Sequence, residues 1–300
     1  MKIIFEIDKY MERLDFPMQA RSAFLQLEQR LGEDAVGIQV FYQQIEQFMT
    51  KKTAFSEIEE QLKPIAKRFS ISIYTVDMLF LLACLPNLFE KYMKANLPET
   101  LFWDTMMDSK YKLLECKTIH DVWGIFSGWW YLEFYHLERF ALGRFQYERA
   151  AFDYDYYEKD EFVLNRGDTV INFHIPSSGA MTKELRLDSY KKAYRFFAKE
   201  IKNGILPMVC DSWLLFQEHH NMLPESSNIR SFINDFTILN QSESEQFGNA
   251  WRIYGKNDME SLQELPENSS LQRGYKQLLL AGGKAGSGYG VILFDGEKIL

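Results

Sequence analysis

Apolar residues recur at helical spacing through most of the first half of the chain. The first stripe follows Asp15 and repeats every three or four positions, at Ala20, Phe24, Leu27 and Leu31. Gly32 comes directly after this stripe and is typical of a helix stop. Similar stripes follow in DAVGIQVFYQQIEQFMT, SEIEEQLKPIAKRFS and SIYTVDMLFLLACLPNLFEKYMKANL. The pattern predicts an all-helical domain over residues 1–140.

The last stripe of this domain lies in TIHDVWGIFSGWWYLEFYHLERF, which ends shortly before Gly143. Its apolar positions keep the helical spacing and occur on more than one face of the expected helix. We therefore predict one further helix over residues 123–135.

After Gly143 the pattern changes to alternation of apolar and polar residues. RFQYERAAFDYDYY and DTVINFHI have the two-residue period of strands, and Asn165 and Gly167 between them favour a turn. A helix is predicted from about Lys183 to Asn203, followed by the strand ILPMVCDSWLL and the helix SSNIRSFINDF. TILNQSE and NAWRIYGK predict two more strands, SSLQRGYKQLLLAGG a helix and YGVILFDG a closing strand. This order is typical of an α/β domain, here over residues 141–300.

Composition and charge exclude several classes of protein. The chain has 300 residues, of which 46% are hydrophobic and 25% charged, as in a soluble globular protein. Its 42 acidic and 34 basic residues give a net charge of -8 without a Lys/Arg cluster, which argues against a nucleic-acid partner. Three cysteines without a Cys-x-x-Cys pair favour reduced thiols over a disulfide framework or a zinc site.

The apolar runs favour a cytoplasmic protein without a membrane span. Glu6 and Asp8 interrupt the only apolar run at the amino terminus, which therefore lacks the centre of a secretory signal. The longest apolar run, residues 78–85, is much shorter than the roughly 20 residues that cross a bilayer. We expect it to belong to a buried helix.

The segment NFHIPSSGAMT contains a candidate anion site. A predicted strand ends at His174 and Ile175, turns through residues 176–179 and enters a helix near Thr182. Such a turn presents backbone N–H groups and the positive end of a helix dipole at one point, and its small residues let a phosphate approach. The alternative is an ordinary turn with Thr182 as the helix N-cap.

A family resemblance is carried by GRFQYER, INFHIPSSGAMT, DSYKKAYRFF, VCDSWLL, SSNIRSFINDF and GYGVILF. These segments resemble successive blocks of a bacterial group of acyltransferase-domain proteins, over roughly residues 120–295. In that group a helical N-terminal domain precedes a domain similar to the GNAT superfamily of acyl-coenzyme A-dependent N-acyltransferases. The resemblance therefore implies an all-helical domain followed by a GNAT-like mixed-sheet α/β domain. It also implies acetyl-CoA or another acyl-CoA as co-substrate, no metal, and a small-molecule or peptide amine as acceptor.

The resemblance also implies where the coenzyme lies. The pyrophosphate would bind the turn after TVINFHI, and the pantetheine would lie between that strand and PMVCDSWLL. The implied contacts are Ile175, Ser177, Ser178, Gly179, Ala180 and Ser212. The family signature, Arg/Gln-x-x-Gly-x-Gly/Ala, is incomplete here, because HIPSSGAM keeps only Gly179 and has serines at the basic and second small positions. A GNAT-shaped binding or scaffolding module without catalysis is therefore the alternative function.

N-acyl transfer needs a base for the attacking ammonium and a proton donor for the leaving thiolate. His174 has a suitable intrinsic pKa and lies at a strand end, and Asp211 interrupts an apolar run. Tyr289 is a candidate thiolate acid by residue type alone. Each also has a structural interpretation: a hydrogen bond within the turn, a solvent-facing carboxylate, or a packed aromatic ring.

Other motifs carry weaker hypotheses. GGKAGSGYG, residues 282–290, predicts a mobile loop, with a substrate-covering lid as the alternative. His219 and His220 are adjacent and point apart, which favours a surface loop over a metal site. A hydrolase using Ser178 or Cys210 is a third function, although PSSG lacks the first glycine of a nucleophile elbow.

Overall fold

A computed structural model describes residues 5–256 and 261–300 of the chain. The chain forms two compact units, Met1–Phe140 and Ala141–Leu300. Residues 1–4, which belong to the segment tested for a secretory signal, lie outside the described residues. A helical first half and a mixed-sheet α/β second half confirm the fold class predicted from the sequence.

The N-terminal unit is built from helices. They are α1 (Ile7–Arg13), α2 (Met18–Glu33), α3 (Ala35–Lys51), α4 (Phe55–Phe69), α5 (Ile73–Lys94), α6 (Glu99–Met106), α7 (Asp108–His120) and α8 (Leu132–Tyr135), with a 3-10 helix at Gly128–Tyr131. Helices α1 to α4 and α6 all contact α5, so α5 is the centre of this unit. Phe80 of α5 packs edge-on against Phe41, Phe48 and Phe55 of α3 and α4.

Helix α5 contains the longest apolar run of the sequence. Every residue from 76 to 85 is buried, so the helix is enclosed on all sides rather than amphipathic. By length and composition Ile73–Lys94 could also cross a membrane, but 61% of its most apolar window is buried within the protein. Burial of this extent is typical of the core helix of a globular unit, as the sequence predicted.

The predicted helix over residues 123–135 is only partly present, because residues 121–127 are irregular and the chain is helical from Gly128 to Tyr135. Helix α7 ends at His120, and Asp121 adopts a left-handed conformation with φ 55°. Ile125 then donates a backbone hydrogen bond to Tyr74 at 2.9 Å, and a Cβ on Gly124 would lie 2.5 Å from the Tyr74 backbone. Residues 121–127 therefore dock as irregular chain against the start of α5, and the 3-10 helix Gly128–Tyr131 and helix α8 follow them.

The C-terminal unit contains a six-stranded sheet in the order β1-β2-β5-β6-β8-β7 and a separate hairpin, β3-β4. The strands are β1 (Arg139–Leu142), β2 (Phe145–Ala151), β3 (Tyr156–Lys159), β4 (Phe162–Asn165), β5 (Thr169–His174), β6 (Leu206–Ser212), β7 (Thr237–Ser244) and β8 (Ala285–Phe294). The helices are α9 (Lys183–Phe196), α10 (His219–Met222), α11 (Asn228–Ile233), α12 (Ala250–Tyr254) and α13 (Ser270–Leu280). Strands β2 and β5 pair antiparallel, whereas β5 and β6 run parallel.

Two segments differ from their predicted structure because of packing partners distant in sequence. NAWRIYGK forms helix α12 rather than a strand, since Ala250, Ile253 and Tyr254 fill a small core with Tyr275. His219 and His220 begin the short helix α10 instead of lying in a loop. The helix predicted to reach Asn203 ends at Phe196.

The glycine-rich segment predicted as a loop is largely strand β8. Gly286, Gly288 and Gly290 alternate along it and share one face. If these residues were alanines, their Cβ atoms would lie 2.4 Å from the Phe216 ring, 2.6 Å from the Leu215 carbonyl oxygen and 2.8 Å from the Phe236 ring, respectively. The glycines therefore let neighbouring segments pack closely on the sheet.

The two faces of the sheet are covered differently. On one face, aromatic residues of β2, β5, α9 and α11 pack together: Phe145, Phe173, Tyr190 and Phe232. On the other face, the β3-β4 hairpin covers a cluster that includes Val170, Val209, Val291 and Leu293. Toward the carboxyl ends of β5 and β6, the side chains on this second face are polar.

Candidate functional site

The two parallel central strands separate toward their carboxyl ends. Strands β5 and β6 pair only at Ile171 with Met208 and at Asn172 with Val209. Each strand remains paired on its other side, β5 with β2 as far as His174 and β6 with β8 as far as Ser212. A cleft therefore opens between the ends of β5 and β6, at the place where ligands commonly bind in α/β sheets.

The three predicted catalytic residues lie on the same face of the sheet. Asp211 is directly opposite Tyr289 in the β6-β8 register, and His174 follows Asn172 by two residues in β5. Because Asn172 is level with Val209, the two-residue alternation places His174, Asp211 and Tyr289 on one side. All three side chains can therefore face a ligand on the same side of the sheet.

Glu148 is a site residue that sequence reasoning missed. Its Oε1 atom lies 2.7 Å from Nε2 of His174 and accepts a hydrogen bond from Nδ2 of Asn172 at 3.2 Å. The side chains of His174 and Glu148 are only 22% and 16% exposed. A carboxylate beside a histidine orients the ring and compensates the charge that it gains on accepting a proton. The available signal was the alternation of β2, which places Glu148 opposite Asn172.

The other two predicted catalytic side chains are shifted toward their protonated forms. Partial desolvation raises the pKa of Asp211, although its side chain remains exposed to solvent. Burial, followed by the nearby Asp153 carboxylate, raises the pKa of Tyr289. Within the described part of the chain, the Tyr289 hydroxyl is enclosed without a hydrogen-bond partner, and its ring packs 4.8 Å from that of Tyr154. A tyrosine that keeps its proton can act as a donor.

Arg144, which sequence reasoning also missed, binds the turn after β5. Its guanidinium donates to the carbonyl oxygens of Pro176, Gly179 and Ala180 at 3.0, 3.1 and 3.0 Å. It also donates to Oγ of Ser178 at 2.9 Å. The arginine follows Gly143 in the β1-β2 connection, so nothing in the local sequence indicated this contact.

The start of helix α9 is capped within the protein. Thr182 is the N-cap and its Oγ1 accepts from the Leu185 N–H at 3.4 Å. Hydrogen bonds from its own backbone N–H and from the Thr182 hydroxyl lower the pKa of Glu184, so this carboxylate also uses the helix start. Gly179 has φ +99°, and a Cβ added there would meet open space. Thr182 and Glu184 therefore already use donors at the helix start, and the 176–180 turn forms the other part of the predicted anion site.

Two family models together match almost the whole chain. One describes an N-acyltransferase N-terminal domain and matches residues 5–137, and the other describes a GNAT-like C-terminal domain and matches residues 140–292. The chain belongs to this GNAT-like family. The family and the fold class that the resemblance implied are thereby confirmed. No curated protein matches the chain.

Solved structures with the same fold are acyltransferases. One, in complex with decanoyl-CoA, has 19% sequence identity and a TM-score of 0.75, covering 97% of this chain and 88% of that chain. A second, with decanoyl-CoA and teicoplanin, has 16% identity and a TM-score of 0.72 over 98% and 89%. A third, a mutant with octanoyl-CoA, has 16% identity and a TM-score of 0.71 over 100% and 90%. At these identities the likeness establishes the fold.

The remaining predicted coenzyme contacts differ in their surroundings. Ser212 caps the 3-10 helix Trp213–Leu215 by accepting from the Leu214 N–H at 3.2 Å. Ser177, Gly179 and Ala180 are exposed on the turn, and Ile175 is half-buried. Residues 175–180 follow the carboxyl end of β5, and Ser212 is the last residue of β6.

The residues of the hydrolase and metal hypotheses are hydrogen-bonded or buried in the described part of the chain. Ser178 receives a hydrogen bond from Arg144, and Cys210 is buried in a setting that strongly raises its pKa. His219 is buried against Tyr275, 2.9 Å from its hydroxyl, and burial lowers the pKa of this histidine to about 4. No group of three or more His, Cys, Asp or Glu side chains within residues 5–256 and 261–300 could hold a metal ion.

Proposed function

We propose that this protein transfers an acyl group from an acyl-coenzyme A thioester to an amine. Its membership of the GNAT-like family supports the reaction class. The observation that carries the proposal is the cleft between β5 and β6, with the hydrogen-bonded Glu148 and His174 side chains on the polar face beside it.

In this proposal the cleft and the adjoining turn hold the coenzyme. The pyrophosphate lies against the 176–180 turn, and the pantetheine passes between the carboxyl ends of β5 and β6, near Ser212. Acetyl-CoA or another acyl-CoA is the co-substrate. Octanoyl- and decanoyl-CoA are useful probes of acyl length, because neighbouring acyltransferase structures contain them.

The proposed reaction forms one bond and breaks another at the thioester carbonyl carbon. The amine nitrogen attacks this carbon, the new C–N bond forms, and the C–S bond breaks. His174 takes the proton from nitrogen while the Glu148 carboxylate compensates the charge on the ring. If Nε2–H donates to Glu148, the proton-accepting atom is Nδ1. The leaving thiolate receives a proton from Tyr289 or from water.

Asp211 is the alternative base in this proposal. Its raised pKa brings the carboxyl closer to the range in which a general base works well. It would take the proton directly or through a water molecule. Separate substitution of His174 and of Asp211 shows which of the two is the base.

The acceptor in this proposal is a small-molecule or peptide amine. Of two neighbouring acyltransferase structures, one contains teicoplanin and the other 10C-teicoplanin. A glycopeptide is therefore a reasonable member of an acceptor panel that also includes simple amines and short peptides.

A second candidate function is a GNAT-shaped binding or scaffolding module without catalysis. It is favoured by the turn, which keeps a single glycine, and by the helix start, where Thr182 and Glu184 already use backbone N–H groups. A folded protein that neither binds coenzyme A nor transfers an acyl group to any amine of the panel would support this module.

Calorimetry and a thiol-release assay test the proposal. We expect acyl-CoA to bind wild-type protein, and His174→Ala to lower turnover by roughly 10²-fold or more while leaving coenzyme affinity nearly unchanged. His220→Ala is the matched control, because it removes a histidine from α10, outside the cleft. Absence of coenzyme binding would refute the proposal. Wild-type turnover in both His174→Ala and Asp211→Asn would place the base elsewhere.

A further inference from the structure

We infer that Arg144 is a positioning residue for coenzyme binding, because it holds the 176–180 turn in the shape that receives a pyrophosphate. This inference rests on the proposed function and adds a residue from outside the turn. Arg144 acts through the backbone of the turn, so it need not touch the coenzyme.

The contacts of Arg144 organise the whole turn. All three guanidinium nitrogens donate to it: Nε to Ala180, Nη1 to Pro176 and Ser178, and Nη2 to Gly179. The acceptors are three carbonyl oxygens and one hydroxyl, at 2.9 to 3.1 Å. Hydrogen bonds from a charged donor are stronger than neutral ones, so one side chain constrains four residues of the turn.

These contacts determine which way the peptide N–H groups point. In a trans peptide the C=O and the following N–H point in opposite directions. The carbonyl groups of Pro176, Gly179 and Ala180 point at the guanidinium, so the N–H groups of Ser177, Ala180 and Met181 point away from it. The arginine therefore gathers the acceptors of the turn on one side and directs donors to the other side, which suits an anionic ligand.

Arg144 also supplies charge that the turn lacks. Residues 175–181 include no basic side chain, and their carbonyl oxygens would repel a phosphate if they faced it. The guanidinium binds these oxygens and adds a positive charge beside the turn. Gly143 assists, because a Cβ at this position, where φ is +75°, would lie 3.3 Å from Ser189 Cα in α9. The absence of that Cβ lets the β1-β2 connection approach the helix that follows the turn.

A lysine cannot reproduce this arrangement. Its ammonium is a single point of charge, whereas the planar guanidinium presents N–H groups in fixed, diverging directions. Only a donor group with several N–H directions can bind the three carbonyl oxygens and the Ser178 hydroxyl at the same time. We therefore expect Arg144→Lys to resemble Arg144→Gln in coenzyme binding, although it retains the charge.

Calorimetry with free coenzyme A on the full chain tests the inference. We expect Arg144→Gln and Arg144→Lys to weaken affinity by about tenfold or more, since several charge-assisted hydrogen bonds are lost. Arg195→Gln, at the exposed last turn of the same helix α9, is the matched control and should stay within about twofold of wild type. Pantetheine lacks the pyrophosphate, so its binding, followed by saturation-transfer NMR, should be unchanged in every variant.

Each result has one meaning. Wild-type affinity for coenzyme A in Arg144→Gln would overturn the inference, and wild-type affinity in Arg144→Lys would overturn the positioning role by showing that charge suffices. Loss of both coenzyme A and pantetheine binding would assign Arg144 to the general fold and also overturn it. If the wild-type protein itself does not bind coenzyme A, the proposed function fails, and this inference fails with it.

Discussion

Buried single residues have the largest consequences for pH dependence. Asp77 lies on the central helix α5 with only 1% of its surface exposed. Burial, followed by the nearby Glu59 carboxylate, raises the pKa of Asp77 to about 8. Its Oδ1 atom has no hydrogen-bond partner among the described residues. The folded protein therefore keeps Asp77 protonated at pH values where the unfolded chain releases the proton.

This difference predicts how stability changes with pH. The unfolded carboxyl titrates near pH 4 and the folded one near pH 8, so the folded state binds more protons between these values and stability falls as pH rises. Asp77→Asn removes the titration. The stability advantage of this variant over wild type should grow by about 2–3 kcal/mol between about pH 5.5 and pH 8 in denaturant unfolding.

The control for Asp77 is an exposed carboxylate in the same unit. Asp121 is paired with Lys117, which lowers its pKa instead of raising it. Asp121→Asn should therefore show no such growing advantage. A constant difference between Asp77→Asn and wild type across this pH range would show that Asp77 is ionised in the folded protein.

At the scale of elements, an ion pair links α9 to the segment that directly follows α11. Arg186 of α9 is 1% exposed and donates to both carboxylate oxygens of Asp235, at 2.7 and 3.1 Å. It also donates to the backbone and hydroxyl oxygens of Ser231, while Tyr190 donates to Asp235. This network holds α11 against the helix that follows the candidate pyrophosphate turn.

Removing one partner of this pair should destabilise the protein strongly. Arg186→Met leaves the mostly buried Asp235 carboxylate without its positively charged partner, so we expect a loss of about 3–5 kcal/mol in denaturant unfolding. The double variant Arg186→Met/Asp235→Leu should regain much of this loss, because no charge then remains buried. Lys191→Met in the same helix is the control, since its partner Glu297 is exposed. Equal effects of Arg186→Met and Lys191→Met would contradict this account.

At the scale of the whole molecule, the charge distribution is relevant to coenzyme binding. Coenzyme A is polyanionic, whereas the protein has a net charge of -8, so the overall field does not attract it. Binding must depend on local donors such as the turn after β5. A substitution that changes the conformation of that turn should therefore reduce the thermal stabilisation that coenzyme A gives the protein.

Coenzyme A should stabilise the wild-type protein against heat. At about a hundredfold excess over the dissociation constant, the gain is about 2.7 kcal/mol, which corresponds to a midpoint increase of roughly 5–10 °C. Gly179→Val should abolish this increase, because its φ of +99° is strained for a β-branched residue. Gly248→Ala, where an added Cβ meets open space, should keep it. An undiminished increase in Gly179→Val would remove the turn from the coenzyme site.

The sequence by itself determined the division into a helical half and an α/β half, because both patterns depend on residues a few positions apart. It also identified the 176–180 turn and the histidine beside it, since a strand, a turn and a helix start follow one another directly. Local periodicity misled where distant partners decide the structure: Gly124 docks on Tyr74, and alternating glycines let Phe216 and Phe236 pack on β8.

Only the tertiary structure decided which polar groups meet. Glu148 reaches His174 across 26 residues through the register of β2 and β5, and Arg144 reaches Ser178 across 34 residues. Asp211 faces Tyr289 because β6 pairs with β8, although the two residues lie far apart in sequence. Such contacts depend on strand register and on the packing of α9. These are set by the burial of the whole apolar face, and no short stretch of sequence contains that information.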